Sequence, residues 1–304
     1  MNDHASSGKP RWALLSRRQF LLSAPLSAAL PSLFRAADAS SPRPQVGCQA
    51  NAYPIDPGDF DALLKSAADL KRMGYDGFEC NYRFVEGKFR NTTEARAQIE
   101  STGMKFYGPH VGLQQTPDSL DRCVDGAAAL GARHLAVSGA AKGIVAEDGK
   151  LNEDALAKKV EAILRLAALC RKAGLRLAYH NHTEEFRSGG AEIEELLRRT
   201  DPDLVSLLLD LGHAYREHAD VVAFFSKHHA RIDAMHLRDI RAGEQVPLGQ
   251  GELDFPALAS LIHQTGWSGW LTDEEEGLHK SQELPALESI LQSDRNTVRK
   301  IFGV

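Results

Sequence analysis

The sequence predicts a single α/β domain, a closed (β/α)8 barrel over residues 40–304, and three observations carry that prediction. Short apolar runs of strand length alternate eight times with longer segments of helical period, and no composition break separates them. Six of the eight apolar runs finish in Glu, Asp or His. No Gly-x-Gly-x-x-Gly follows the first run, which argues against an open dinucleotide-binding sheet. Strict alternation of strand and helix implies right-handed crossovers and a parallel sheet, and eight units in about 260 residues suit a closed barrel.

The units follow in order. Residues 45–50 are a first strand, after a Pro/Ser linker at 40–44. Residues 59–73 carry Phe60, Leu63, Leu64, Ala67, Leu70 and Met73 at helical spacing, and Gly74 ends that helix. A second strand at 77–80 holds Glu79. A helix at 92–101 leads to a third strand at 105–107, which runs into Gly108-Pro109-His110. A helix at 119–130 and a strand at 134–137 follow. The long amphipathic helix 153–173 leads through Gly174 into 175–179, a short run with little alternation that reads as a buried parallel strand. It breaks abruptly into His180, Asn181, His182, Glu184 and Glu185. A helix at 192–199 precedes a strand at 204–209 ending in Asp210. A helix at 221–228 precedes a strand at 232–235 ending in His236. A helix at 255–264 precedes a strand at 270–272 ending among Glu274, Glu275 and Glu276, and helix 284–302 closes the chain.

The N-terminus reads as an export signal. Ser16-Arg17-Arg18-Gln19-Phe20-Leu21 is a twin-arginine pattern, residues 21–34 are apolar, and Ala37-Asp38-Ala39 is a small-x-small cleavage site. Pro25 and Pro31 break a stretch already too short for a good membrane span, so no stable anchor is expected once residues 1–39 are removed. Their removal leaves 31 basic against 39 acidic residues, a net charge of −8. That balance excludes nucleic acid as an expected partner. The expected location is the periplasm or beyond, by the twin-arginine pathway. Cys48, Cys80, Cys123 and Cys170 show no CxxC spacing and read as buried free thiols.

A closed parallel barrel brings all its strand C-termini to one face. Glu79, His110, His180, Asp210, His236 and Glu274 should therefore converge. Such a mixture of carboxylates and imidazoles suits Mn²⁺, Co²⁺, Zn²⁺ or Mg²⁺. Asp210 could instead cap a helix, Glu79 could cap a loop or pair with an arginine, Glu274 could lie in a solvated acidic run, His110 could be structural and His236 could be a core histidine.

The chain resembles the xylose isomerase-like TIM barrel family, the sugar phosphate isomerase/epimerase and inosose dehydratase group. The resemblance runs from about residue 45 to the C-terminus. It is carried by Tyr179-His180-Asn181-His182 with Glu185-Phe186, Leu209-Asp210-Leu211-Gly212-His213, Met235-His236-Leu237-Arg238-Asp239, the stretch 247–255, and Gly269-Trp270-Leu271-Thr272-Asp273-Glu274. It implies a divalent metal held by residues from strands five to eight, with Asp210, His236 and Glu274 matching three of four ligands. The fourth position holds His180 where the epimerases have Glu. It implies a metal-bound pair of carboxylates working on either face of the substrate; with His180 in place of one, His180 could bind metal or act as base, and Glu185 could fold back as ligand or base. The expected catalytic set is His180, Glu185 and Glu274. Glu79, His110, His182, His213 and Arg238 are expected to bind substrate, with His182 alternatively supporting a ligand and Arg238 alternatively holding the site. Gly249 and Gly251 let their loop approach a ligand or simply turn the chain.

The leading expectation is an isomerase or epimerase of an unphosphorylated sugar or keto-sugar, acting through an ene-diolate stabilised by the metal. A lyase or dehydratase of keto-glycosides or inososes, using the same chemistry, is the main alternative. A non-catalytic periplasmic sugar-binding barrel is the alternative of another class. Homo-oligomerisation is left open.

Overall fold

A computed structural model describes residues 43–115, 117–139, 143–146, 148–275 and 284–304. The export signal expected at 1–39 and Glu276 lie outside the described residues. Among the described residues no helix is long and apolar enough to cross a membrane.

Among the described residues ten strands occur in chain order: β1 Gln45–Gln49, β2 Gly77–Asn81, β3 Lys105–Gly112, β4 His134–Ser138, β5 Arg176–His180, β6 Val205–Asp210, β7 Ile232–Leu237, β8 Asp239–Arg241, β9 Glu244–Val246 and β10 Trp270–Asp273. Eight of them close a parallel barrel in the order β1-β10-β7-β6-β5-β4-β3-β2, and β8 and β9 pair separately as an antiparallel hairpin. The helices are α1 Phe60–Met73, α2 Thr92–Ser101, α3 Pro117–Ala129, α4 Glu153–Lys172, α5 Arg187–Arg199, α6 Leu211–Arg216, α7 Val221–His228, α8 Phe255–Thr265 and α9 Leu284–Phe302. The eight-unit barrel is therefore as the sequence predicts. The hairpin and the six-residue α6 are additions. Neither is long enough to develop a readable period.

Local chemistry explains the helix ends. Asp59, Asn152, Asp220 and Asp254 cap α1, α4, α7 and α8 by accepting the backbone N–H three residues on, at 2.9–3.1 Å. Gly74 and Gly266 close α1 and α8 in the left-handed region, where glycine carries no Cβ penalty.

Most apolar side chains lie between the barrel and its helices. A smaller set, Tyr107, Ala136, Ala178, Leu208, Ala234 and Trp270, forms a separate cluster with one residue from each of six neighbouring barrel strands. In it Tyr107 and Trp270 stack at 3.9 Å, and the alanines leave room for them. Gly47 is required here, because a Cβ would stand 2.1 Å from the Tyr107 hydroxyl. The four cysteines are buried free thiols.

Candidate metal centre

Parallel pairing sets the site. Asp210 on β6 is in register with His236 on β7, and His236 with Thr272 on β10, so the next-but-one residue, Glu274, lies just beyond them. His180 ends β5 beside β6. One ligand atom from each of His180, Asp210, His236 and Glu274 lies within 4.8 Å of the others, and all four residues are buried. His180 Nε2 is 3.7 Å and His236 Nδ1 3.9 Å from Asp210 Oδ2, while His236 Nδ1 is 2.5 Å from Glu274 Oε2.

Asp210 has two jobs. Its Oδ1 accepts the His213 N–H at 2.8 Å and caps α6, while its Oδ2 faces the imidazoles and Arg238. The capping and ligand readings of this residue are both realised, on different oxygens. Asn181 adds a reciprocal pair of hydrogen bonds with the Asp210 backbone, tying the end of β5 to the end of β6.

Arg238 follows β7 and reaches both carboxylates, with Nε 3.2 Å from Asp210 Oδ2 and Nη2 2.7 Å from Glu274 Oε2. Gln245 on the hairpin accepts from Arg238 Nη1 at 3.0 Å and donates to the Glu274 carbonyl at 2.7 Å. Burial opposes ionisation of Asp210, but Arg238, then His213 and His180, outweigh it and hold the carboxyl well below the usual range. Burial likewise opposes Glu274, and Arg238 and His236 hold it low. Burial lowers His236 too, yet Glu274 and Glu79 outweigh it and raise it to about 10. His180 has no such help. Burial first, then the charge of His236, push it down to about 3, so its imidazole is neutral.

Glu79 is fully buried under this set. Its Oε1 accepts from His236 Nε2 and from Gln49 Nε2 at 3.3 Å, His110 Nε2 lies 2.9 Å from the same oxygen, and His134 Nε2 lies 3.9 Å from Oε2. A carboxylate on the far nitrogen fixes the imidazole tautomer and leaves Nδ1 facing Asp210 and Glu274. Glu79, expected at the substrate, is placed instead behind His236. His110 joins it, its ring stacked on His236 at 5.3 Å and edge-on to His180 at 5.3 Å.

Glu185 lies apart from the centre. Lys159 Nζ donates to its Oε1 at 2.8 Å, the Tyr179 hydroxyl donates to the same oxygen, and the His182 N–H donates to Oε2 at 2.9 Å. A carboxylate so fully engaged does not fold back as ligand or base; it pins the turn after β5. The sequence gives no sign of Lys159, whose burial is decided by an acid 26 positions away. Its ring 4.8 Å from His180, half-buried His182 stands toward solvent, and the His213 ring lies 5.0 Å beyond it. Thr183 Oγ1 is bonded to His213 Nδ1 at 2.9 Å. Gly249 and Gly251 donate their N–H groups to Asp239 Oδ2 at 2.9 and 2.8 Å, so their loop wraps an aspartate of its own chain.

The donor set fits a divalent ion. His180 Nε2 is buried and receives no hydrogen bond from a described residue. It is held neutral with its lone pair available, beside two ionised carboxylates and a second imidazole whose tautomer is fixed.

Comparison with known proteins finds relatives of this barrel. Inosose dehydratase of Lacticaseibacillus casei is 29% identical over 155 residues, which are 44% of this chain and 52% of that protein, so the match spans about half of the relative's length. Inosose dehydratase of Clostridium perfringens is 29% identical over 251 residues, 73% of this chain and 84% of that one. A sugar phosphate isomerase/epimerase structure from Parabacteroides distasonis superposes with a TM-score of 0.66 at 20% identity, covering 87% of this chain and 97% of its own. The IolI protein with a bound zinc superposes with a TM-score of 0.67 at 14% identity, covering 85% and 98%. The profile of the family described as Xylose isomerase-like TIM barrel matches residues 67–293, and the chain belongs to that family.

Proposed function

We propose that this protein is a divalent-metal-dependent enzyme that removes a proton next to the ketone of a small keto-sugar or keto-polyol, and completes the reaction by expelling a β-oxygen substituent. The observation that carries the reading is the asymmetry of the four-residue centre. Glu274 is paired with Arg238, whereas the His180 ring leads by contact to His182 and on to His213. The proton relay of an epimerase asks for matched bases on both faces of the substrate, and here one face offers imidazoles where the other offers a carboxylate tied to a guanidinium.

His180, Asp210, His236 and Glu274 would hold the ion. When bound it supplies Lewis-acid stabilisation for the negative charge that a ketone oxygen gains as the neighbouring C–H is broken. The chain's own residues do the rest. Arg238 keeps Asp210 and Glu274 ionised, and Glu79 keeps Nδ1 of His236 directed at them. His182, half-buried on the solvent side, takes the proton from carbon. It returns that proton to the departing β-oxygen, which leaves as water or an alcohol, so protons and electrons balance. His213 and Thr183 hold its outer side.

The relation to inosose dehydratases supports elimination. Isomerisation or epimerisation of the same enolised substrate is the second reading, favoured by the carboxylate of Glu274 within the metal set. We place the protein outside the cytoplasm, on the twin-arginine pattern of residues 16–21, and take its substrate as unphosphorylated; Arg238 is already committed to Asp210, Glu274 and Gln245.

The test is NMR of the metal-loaded protein with ketoses, inososes and 3-keto-glycosides in deuterated water. An unsaturated or cleaved product supports elimination. A labelled epimer or isomer would shift the reading to the second. Unlabelled, unchanged substrates throughout would sink both and leave a binding barrel.

A further inference from the structure

His134 opens β4 at the end of the barrel opposite the mouth, where it lines a cavity of about 480 Å³ with Arg176, Asp233 and Trp270. It is 4% exposed. Two residues on, Ala136 belongs to the cluster of Tyr107 and Trp270, and the period of a strand puts His134 on the same inner face. Its ring lies across β3. Gly108 has no side chain to stop it, for a Cβ there would stand 2.5 Å from His134 Cδ2 and 2.8 Å from Nε2. A register shift between Phe78 and Glu79 places Glu79 of β2 beside this same Gly108. The three positions make one row across three strands, and at its far end His134 Nε2 lies 3.9 Å from Glu79 Oε2.

Both atoms are buried, and among the described residues neither has a hydrogen-bond partner. The other oxygen of Glu79 is crowded. Its Oε1 accepts from His236 Nε2 and Gln49 Nε2, with His110 Nε2 2.9 Å away. A buried donor and a buried acceptor left unmade each carry a desolvation penalty, so an orphan of each kind facing the other is a pair in waiting. A water bridging them would need about 4.5 Å or more, so none fits between. A shift of about 1 Å by either side chain closes the gap to a direct hydrogen bond and satisfies both atoms at once.

We propose that His134 is a positioning residue of the metal centre: its Nε2–H donates to Glu79 Oε2 and fixes the carboxylate that in turn orients His236. A carboxylate held through one oxygen alone can turn about its Cγ–Cδ bond, whereas a donor on each oxygen fixes its plane. With that plane fixed, Oε1 stays on His236 Nε2, and Nδ1 stays directed at Asp210 and Glu274. The support reaches the mouth from the N-terminal end of a barrel strand, the end that ordinarily serves stability. The inference rests on the metal reading of the mouth and on no particular reaction.

The experiment is titration of the full chain with Co²⁺, read by its visible absorption. His134→Phe keeps the bulk of the ring and loses the donor. Its affinity for Co²⁺ should fall about tenfold, the low end for groups that support a metal ligand, and the visible bands at saturation should shift as His236 turns. A packing role alone would move the Tm and leave the bands in place. His134→Gln, whose amide can donate from near the position of Nε2, should recover most of the affinity. In a Glu79→Gln background His134→Phe should cost nothing further, because the two act in series. Unchanged affinity and bands in His134→Phe, or its full loss added to that of Glu79→Gln, would overturn the proposal. So would ¹⁵N NMR of the wild type showing His134 protonated on Nδ1 alone, a result that needs no variant to fold. A wild type that binds no Co²⁺ would overturn the metal centre and this inference together.

Discussion

Glu274 and Asp273 are consecutive residues, both buried and both carboxylates, and the protein drives them in opposite directions. Glu274 is held ionised by Arg238 and His236; Asp273 is pushed toward its acid form by burial and by Asp294. Successive side chains of a strand leave on opposite faces, so one enters the barrel mouth and the other the layer of helices. Burial penalises each alike. The difference is made by partners, two cationic nitrogens at 2.7 and 2.5 Å on one side and a tyrosine and further acids on the other. A carboxylate at a strand end is thus defined less by the strand than by the charge its face meets.

The strongest break of this comparison is at the mouth. Glu274→Gln removes one ligand and one of the charges that raise His236. Bound metal should fall from about one ion per chain to a small fraction, and turnover by at least about 10³-fold, on the several kcal/mol that Lewis-acid stabilisation supplies. Asp273→Asn, one residue away, should keep the mouth ion. Metal analysis of the two variants side by side checks this, and equal loss in both would show that the two faces are not separate.

Arg238→Met tests what keeps Glu274 and Asp210 ionised. Two buried carboxylates would lose their guanidinium, at a cost of about 3–5 kcal/mol to the metal-free protein in urea unfolding. A divalent ion should recover part of that loss, so metal should stabilise the variant more than the wild type. An unchanged urea midpoint would mean that Arg238 is a substrate group rather than a counter-charge.

Lys159→Met removes the ammonium shared by Glu185 and Glu192, at 2.8 and 2.5 Å, and makes that buried pair a likeness of Asp273 and Asp294, at about 3 kcal/mol or more near neutral pH. Its pH dependence carries a sign. Burial opposes Glu185, but Lys159 outweighs it and holds the carboxyl below its ordinary 4.5. That contribution is present above pH 4.5 and is lost as pH falls through the lower native value. Glu192, pushed up by burial, does not share in it. In the variant Glu185 keeps the burial and loses the ammonium, so its pKa rises and stability should fall, not rise, as pH climbs above 4.5. Parallel pH profiles of the urea midpoint would remove Lys159 as the deciding charge.

These contrasts mark what was legible in the sequence. The barrel was, because eight apolar runs and the helices between them have periods that need no tertiary information. The convergence of His180, Asp210, His236 and Glu274 was also legible, since closing a parallel sheet forces strand ends together. Partners were not. Lys159 reads as one more lysine of an amphipathic helix until Glu185 and Glu192 fold onto it. Asp273 reads as part of an acidic run, because its neighbour Asp294 arrives from α9. The hairpin β8–β9, which brings Gln245 to Arg238, is built from three-residue strands too short for any pattern.

Glu79 gives the smallest and most discriminating effect. The sequence suggests a substrate contact, and the structure sets it behind His236, where Gln49 also donates to it and His110 Nε2 lies 2.9 Å away. A group in that position acts through the imidazole. Glu79→Gln can still accept from Nε2, but it withdraws the charge that makes the ring a better donor to metal and holds the tautomer with Nδ1 free. The expected cost is about 10–100-fold in metal affinity. At saturating metal, kcat and KM should return close to wild-type values, because no contact with substrate has been removed. A raised KM with metal affinity unchanged would put Glu79 back at the substrate, and His236 would then need another explanation for the direction of its Nδ1.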